Sequence, residues 1–381
     1  MRSVACLAIA AFVGSLTLAG CSSADPNGGE AEGNASEQGV ARPPQFVLLA
    51  FDGSLNLDFW EESRRFAKEN NVKWTYFISG VYFLANEKKA AYHAPHHSVG
   101  SSDIGFGGAS SDVPLRVKQV IGVHEDGHEI ASHANGHYDG TTWTAEDWES
   151  EFDQFDQLVF EAGGKNGVDV ADLPFDKRSV VGFRAPLLGQ GPGLYKALAN
   201  RGFAYDTSMT AAPNYWPENK NGVWNFPLAR LRIVGSGRST LSMDYNFYFA
   251  DSKGLPDSAN KATYKKQMID TYMQYFQGNY VGNRAPVHIG HHFAKWNGGA
   301  YWEAMQEFAK RVCTLPEVTC GTYRDLLAFV TEHKEHLPLL QAGKFPKMAG
   351  QPSAKPPADT PSADELIDAG LHHAHSDEDE M

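Results

Sequence analysis

The stretch Gly127-His128-Glu129-Ile130-Ala131-Ser132-His133-Ala134-Asn135-Gly136-His137 places two imidazoles just beyond a short apolar run. Ile130 and Ala131 read as the end of a buried strand, and Ala134-Asn135-Gly136 as the small, polar loop that leaves it. A loop at the end of a strand is where α/β barrels gather their chemistry. Two His at i and i+4 can also face one Zn2+. Spacing alone does not choose, since His93/His97, His124/His128, His133/His137 and His288/His292 all share it. With 15 His in 381 residues, chance placement yields about half of one such pair, so context singles out His133 and His137.

Outward from this stretch, apolar runs alternate with amphipathic ones as βα units do. Residues 46–51 read as a buried strand. Residues 58–70 follow as a helix capped by Asp58, with Phe59, Trp60, Phe66 and Ala67 on one side. Residues 74–79 form the next strand. Thr144-Ala145-Glu146-Asp147 opens a helix with an acidic first turn, which runs through Phe152, Phe155, Leu158 and Val159 to a stop at Gly163-Gly164. Residues 179–183 and 203–205 are strand-like and 194–200 helical; 224–234 and 241–248 read as extended. A helix over 264–276, a strand over 287–291 and helices near 302–312 and 323–332 complete the pattern. About 290 residues with seven or so strands fit one domain, and a parallel α/β barrel is favoured over a sandwich.

At the N-terminus, Arg2 precedes an apolar run over 4–18, too short to span a bilayer and flanked like a secretory signal. Leu18-Ala19-Gly20-Cys21 resembles a bacterial lipobox, which implies cleavage before Cys21 and acylation of that residue; an ordinary signal cleaved nearby is the alternative. Ser22 after the cysteine suits sorting to the outer membrane, facing the periplasm. Residues 1–20 are thus expected to be a signal peptide, 21–43 a flexible tether, 44–344 the folded domain and 345–381 a disordered acidic and His-bearing tail. Cys313 and Cys320, seven positions apart in an oxidising compartment, read as a short-loop disulfide. A net charge of −13 argues against nucleic-acid partners and anionic lipid surfaces.

Four segments occur in one order: Ala50-Phe51-Asp52-Gly53, the 127–137 stretch, Arg184-Ala185-Pro186 and Ile289-Gly290-His291. Together they resemble the NodB-type polysaccharide deacetylases (carbohydrate esterase family 4), whose signatures are T-F-D-D-G, H-x-x-x-H, R-x-P and L-x-H. The likeness covers roughly residues 44–335. It lies nearest the chitin-deacetylase branch, because Phe51-Asp52-Gly53-Ser54-Leu55-Asn56 parallels F-D-D-A-V-N. It implies a distorted (β/α) barrel of seven or eight strands in a single catalytic domain, with the insertion over 85–113 looping across the catalytic face.

The resemblance also implies roles. His133 and His137 would bind Zn2+ or another divalent transition metal, and Arg184 would hold the base carboxylate ionised. The family has two adjacent carboxylates where this chain has Asp52 and Gly53. Read without a gap, Asp52 is the general base and the ligand position is vacated; with a one-residue gap, Asp52 is the ligand. Strand phase favours the ungapped reading. In Val287-His288-Ile289-Gly290-His291, Ile289 would line the acetyl-methyl pocket and His291 would be the general acid, with His292 the rival if the register slips by one. Asp244 is the first candidate for the acid's carboxylate partner and Asp206 the second. Trp224 and Trp296 are candidates for a sugar floor or for core packing. The expected activity is N-deacetylation of an N-acetylglucosamine polymer, peptidoglycan narrowly ahead of chitin, by a monomer tethered to the membrane through Cys21. The competing expectation is a lipid-anchored glycan-binding pseudoenzyme with an impaired metal site.

Overall fold

The computed structural model describes residues 42–346 and Met348. The signal segment, Cys21, the tether up to residue 41 and the tail's His372, His373 and His375 lie outside the described residues. Twelve strands follow in chain order: β1 (Gln45–Gly53), β2 (Thr75–Ile78), β3 (Glu129–Ser132), β4 (Gly182–Phe183), β5 (Tyr205–Asp206), β6 (Thr210–Ala211), β7 (Glu218–Lys220), β8 (Val223–Asn225), β9 (Leu228–Arg232), β10 (Ser239–Leu241), β11 (Val287–His292) and β12 (Val318–Gly321). The α-helices are α1 (Leu57–Asn70), α2 (Asp112–Glu125), α3 (Ala145–Phe160), α4 (Ala162–Asn166), α5 (Pro192–Arg201), α6 (Asp244–Ser252), α7 (Lys261–Val281), α8 (Trp296–Val312), α9 (Tyr323–Glu332) and α10 (Leu337–Gln341).

The main sheet runs β11-β1-β2-β3-β4-β5-β8-β7, with β12 also beside β1, and every pair in it is parallel except β7 with β8. A smaller sheet, β10-β9-β6, is tied to β11 by a bridge between Met243 and Gly290. The sheet curls into a distorted (β/α) barrel. β1 is buried on both faces, as a central parallel strand must be. Its odd residues Val47, Leu49 and Phe51 join the large core shared with α1, α2, α3, α5, α7 and α8. Its even residues Phe46, Leu48 and Ala50 join an inner core covered by α9 and α10. That division decides which side chains reach the site.

Local chemistry differs from the sequence reading in three places. The side chain of Asn56, not Asp58, caps α1 by accepting from the Phe59 N–H at 3.2 Å, and Asp58 sits in the first turn. Pro227 separates β8 from β9 where one long extended run was expected. Residues 241–248 are not extended throughout: β10 ends at Leu241 and α6 starts at Asp244. The Thr144/Asp147 capping box that opens α3 is present as read. Cys313 and Cys320 are joined by a disulfide between α8 and β12.

Candidate active site

Parallel pairing puts matched residues on the same face of a sheet. β1 and β11 pair Phe51 with His291 and Asp52 with His292. Phe51 belongs to the helix-facing core, so His291 and Ile289 point there too, away from the inner face. His291 is fully buried, its Nε2 3.4 Å from the Tyr272 hydroxyl of α7. Ile289 and His291 share a face, as alternation implies, and it is the outer one rather than the face of Asp52. His292 shares the inner phase with Asp52 and keeps 24% of its side chain exposed.

Four further groups converge on that face. Arg184 follows β4, entirely buried, with its guanidinium 4.3 Å from the Phe77 ring centroid. Its Nη1 donates to Asp52 Oδ1 at 2.6 Å, while Nε donates to Thr207 Oγ1 at 2.6 Å and Nη2 to the Tyr323 hydroxyl at 3.2 Å. Burial works against an ionised Asp52, but the Arg184 charge and hydrogen bond, together with His133 and His292, outweigh it and hold the carboxyl below its ordinary range.

His133 stands past the end of β3. Its Nδ1 lies 2.7 Å from the Arg184 carbonyl, which can only accept, so Nδ1 carries the proton and Nε2 keeps its lone pair. Nε2 is buried with no hydrogen-bond partner, and burial pushes the imidazole down to about 3. A neutral ring oriented by a carbonyl, with an unused lone pair, is how a metal-ligating histidine is prepared. The His137 ring centroid is 5.2 Å away, and burial lowers that imidazole as well. Both groups fit a cation between them. No three His, Cys, Asp or Glu side chains among the described residues already cluster as a ligand set. Gly53, where the family's second carboxylate would stand, has φ +94 and a would-be Cβ 3.5 Å from the Tyr82 ring.

His292 faces this group from β11. Its Nδ1 is 2.7 Å from Asp244 Oδ1, and its backbone N–H donates to Oδ2 at 2.9 Å. Burial opposes the charged ring, but the Asp244 carboxylate overrides that and raises His292 above its usual 6.5. Asp244 also lies 3.5 Å from His291 Nδ1, so one carboxylate serves both imidazoles from opposite sides of the strand. The runner-up, Asp206, accepts from Ser208 Oγ at 2.5 Å and from its N–H at 3.1 Å, capping a turn. Trp296 stands beside His292 at 5.4 Å, stacked on Tyr248 at 5.1 Å and edge-on to the half-exposed Tyr245. Trp224 is 7% exposed in the inner core, which suits packing rather than a sugar floor.

Sequence reading overlooked the clasp on the His133–His137 loop. Ala134 and His137 have φ of +52 and +63, conformations that side-chain-bearing residues seldom hold without support. Support comes from Glu151 of α3, buried, whose Oε1 accepts from the Asn135 N–H at 3.0 Å. The Tyr92 hydroxyl donates to the same carboxylate at 3.0 Å and accepts from the Gly136 N–H at 3.0 Å. The signal was available in the sequence: Glu151 falls on the apolar stripe of α3, with Trp148, Phe152 and Phe155. Glu151→Ala is expected to strand two buried donors, at about 1–3 kcal/mol each. Metal affinity should fall by about 10–100-fold, the usual cost of losing an outer-shell partner. Glu151→Gln keeps an acceptor oxygen and should recover most of it. Metal titration beside a melting curve checks this, and unchanged affinity in Glu151→Ala would refute the clasp.

Residues 39–179 match the polysaccharide deacetylase family. Solved structures similar in shape include a Mycobacterium smegmatis protein assigned to polysaccharide deacetylases (14% identity, 82% of this chain and 98% of that one, TM-score 0.49). A Pseudomonas aeruginosa PAO1 protein so assigned shares 13% identity over 77% of this chain and 93% of its own, at a TM-score of 0.46. The CE4 domain of a multidomain xylanase from the hindgut metagenome of Trinervitermes trinervoides shares 14% identity over 76% and 92%, at 0.39. No curated protein matches the chain. All three structures fall below a TM-score of 0.5, and the sequence match spans Asp52, His133 and His137. That match, to the polysaccharide deacetylase family, covers fewer than half of the chain's residues.

Proposed function

We propose that the chain is a metal-dependent hydrolase removing N-acetyl groups from an N-acetylglucosamine polymer, with peptidoglycan narrowly ahead of chitin. The observation that supports it most is the opposition of two pairs on one face: Asp52 bonded to Arg184, which favours its ionised form, and His292 beside Asp244, which favours its protonated form. A divalent metal at His133 and His137 would polarise the acetyl carbonyl and lower the pKa of a bound water. Asp52 takes the proton of the attacking water, and His292 gives one to the departing nitrogen as the C–N bond breaks, leaving acetate and a free amine. Arg184 positions Asp52, and Trp296 with Tyr245 offers the sugar ring an apolar face.

Gly53 favours a second reading, a glycan-binding protein without turnover, because it removes a donor the family has. Purified protein with measured metal content, assayed for acetate release from peptidoglycan and from chitin oligomers, separates the two. Acetate released in proportion to bound metal is expected; glycan binding without acetate release supports the pseudoenzyme. Mass loss from chitin oligomers but not from muropeptides would reverse the substrate order. The lipobox reading of Cys21 is what puts peptidoglycan first, and Cys21→Ser should shift the protein from the membrane to the soluble fraction.

A further inference from the structure

A groove of about 1030 Å3 is walled by β9, β10, α6 and α7 and takes no part in the site above. It lies on the opposite flank of α6. Asp244, Tyr245 and Tyr248 of that helix face His292 and Trp296, whereas Asn246, Phe249 and Lys253 line the groove. The groove's charge is unlike that of the chain. Against a net charge of −13, its lining holds Arg230, Arg232, Arg238 and Lys253 and no Asp or Glu.

The arginines are positioned yet largely unneutralised. Arg230 and Arg232 stand two residues apart on one face of β9, both exposed. Arg230 Nη1 donates to the Thr210 carbonyl at 2.8 Å and to Thr210 Oγ1 at 3.1 Å, and Arg232 Nη1 donates to the Gly237 carbonyl at 3.1 Å. Neither guanidinium is paired with a carboxylate among the described residues; only Arg238 is, with Asp251 at 3.2 Å. Neutral oxygens thus fix the two forks while leaving their charge for a ligand. Phe249, 52% exposed, adds an apolar face beneath Lys253, whose Nζ is 5.6 Å from the ring centroid.

Fixed guanidinium forks match carboxylates bidentately, and an exposed aromatic matches the apolar face of a pyranose. The volume is at the upper end of ligand pockets, enough for more than one sugar. We infer that this groove is a second glycan-binding site, selective for sugar chains that carry carboxylates, on the far flank of the helix that orients the catalytic histidine. The carboxylate could belong to a uronate or to the lactyl and peptide acids of peptidoglycan. The reading depends on the proposed deacetylase function only for the choice of glycan, and binding is measured without turnover, so the two fail separately.

The test is the affinity of the full chain for polygalacturonate, for soluble peptidoglycan strands and for neutral chitohexaose, with and without the paired substitutions Arg230→Gln and Arg232→Gln. The expected result is binding of one or both anionic glycans that weakens with salt and falls at least about tenfold in the double variant, the loss anticipated for one charge-assisted hydrogen bond. Polygalacturonate bound alone assigns the uronate, and peptidoglycan bound alone assigns the lactyl and peptide acids. Chitohexaose binding and acetate release from it should be unchanged, since neither arginine belongs to the catalytic site. No anionic glycan bound, undiminished affinity in the double variant, or an equal loss for chitohexaose overturns the inference. So does tighter, arginine-dependent binding to vesicles of anionic phospholipid.

Discussion

His292→Ala is expected to cut kcat on an acetylated chitin oligomer by about 10²–10⁴-fold, the range for losing a positioned proton donor. His291→Gln should leave kcat within about tenfold. Its cost is stability, on the order of 1–3 kcal/mol, because it disturbs a fully buried group between Tyr272 and Asp244. The pH profile gives a second check. A general acid works only while protonated, and His292 is raised above 6.5 by Asp244. The alkaline limb of kcat/KM should therefore lie above pH 6.5, with activity lost as pH rises through the raised value. Asp244→Asn removes the charge that holds the proton, so that limb should move to lower pH while residual turnover persists. Comparable loss in His291→Gln with its melting temperature intact, and turnover preserved in His292→Ala, would return the acid to His291.

That exchange of one histidine for its neighbour shows what a sequence can convey. Alternation revealed that Val287, Ile289 and His291 share a face. It could not reveal which face is inside, because a central parallel strand is apolar on both sides. Only the register with β1, pairing Asp52 with His292, settles that. Strong local signals carried well: the Thr144 capping box, the buried run of β1, and the loop after Ile130-Ala131 are all where the residues suggest. Residues 241–248 failed as an extended run because Tyr245, Phe247 and Tyr248 have strand-like propensity, while Tyr245 and Tyr248 pack with Trp296 from a helix instead. Glu151 was passed over because an acid on a helix ordinarily reads as solvated. Its place among Trp148, Phe152 and Phe155 was the departure from pattern.

Asp52→Asn is expected to remove turnover, by about 10²–10⁴-fold, while metal content stays within about threefold of the unsubstituted protein. The reason is geometric. Asp52 Oδ1 is engaged by Arg184 at 2.6 Å, which is how a base is kept ionised, whereas the free buried lone pair belongs to His133 Nε2. Arg184 is the stability hazard, since deleting the partner of a buried charge commonly costs about 3–5 kcal/mol. Asparagine softens this by keeping an oxygen for Nη1, and Thr207 and Tyr323 still hold the other nitrogens, so a melting curve must accompany the assay. The acid limb of the unsubstituted enzyme should lie below the ordinary 3.8 of an aspartate, with activity lost as pH falls through the lowered value; Asp52→Asn abolishes that limb. Gly53→Asp is a poorer probe of the vacated ligand position, because φ +94 strains any side chain there. Metal retained in Asp52→Asn leaves the site to the two imidazoles and makes Asp52 the base; metal lost together with turnover, in a protein that still melts cooperatively, makes Asp52 the third ligand and leaves the chain without a base at this position.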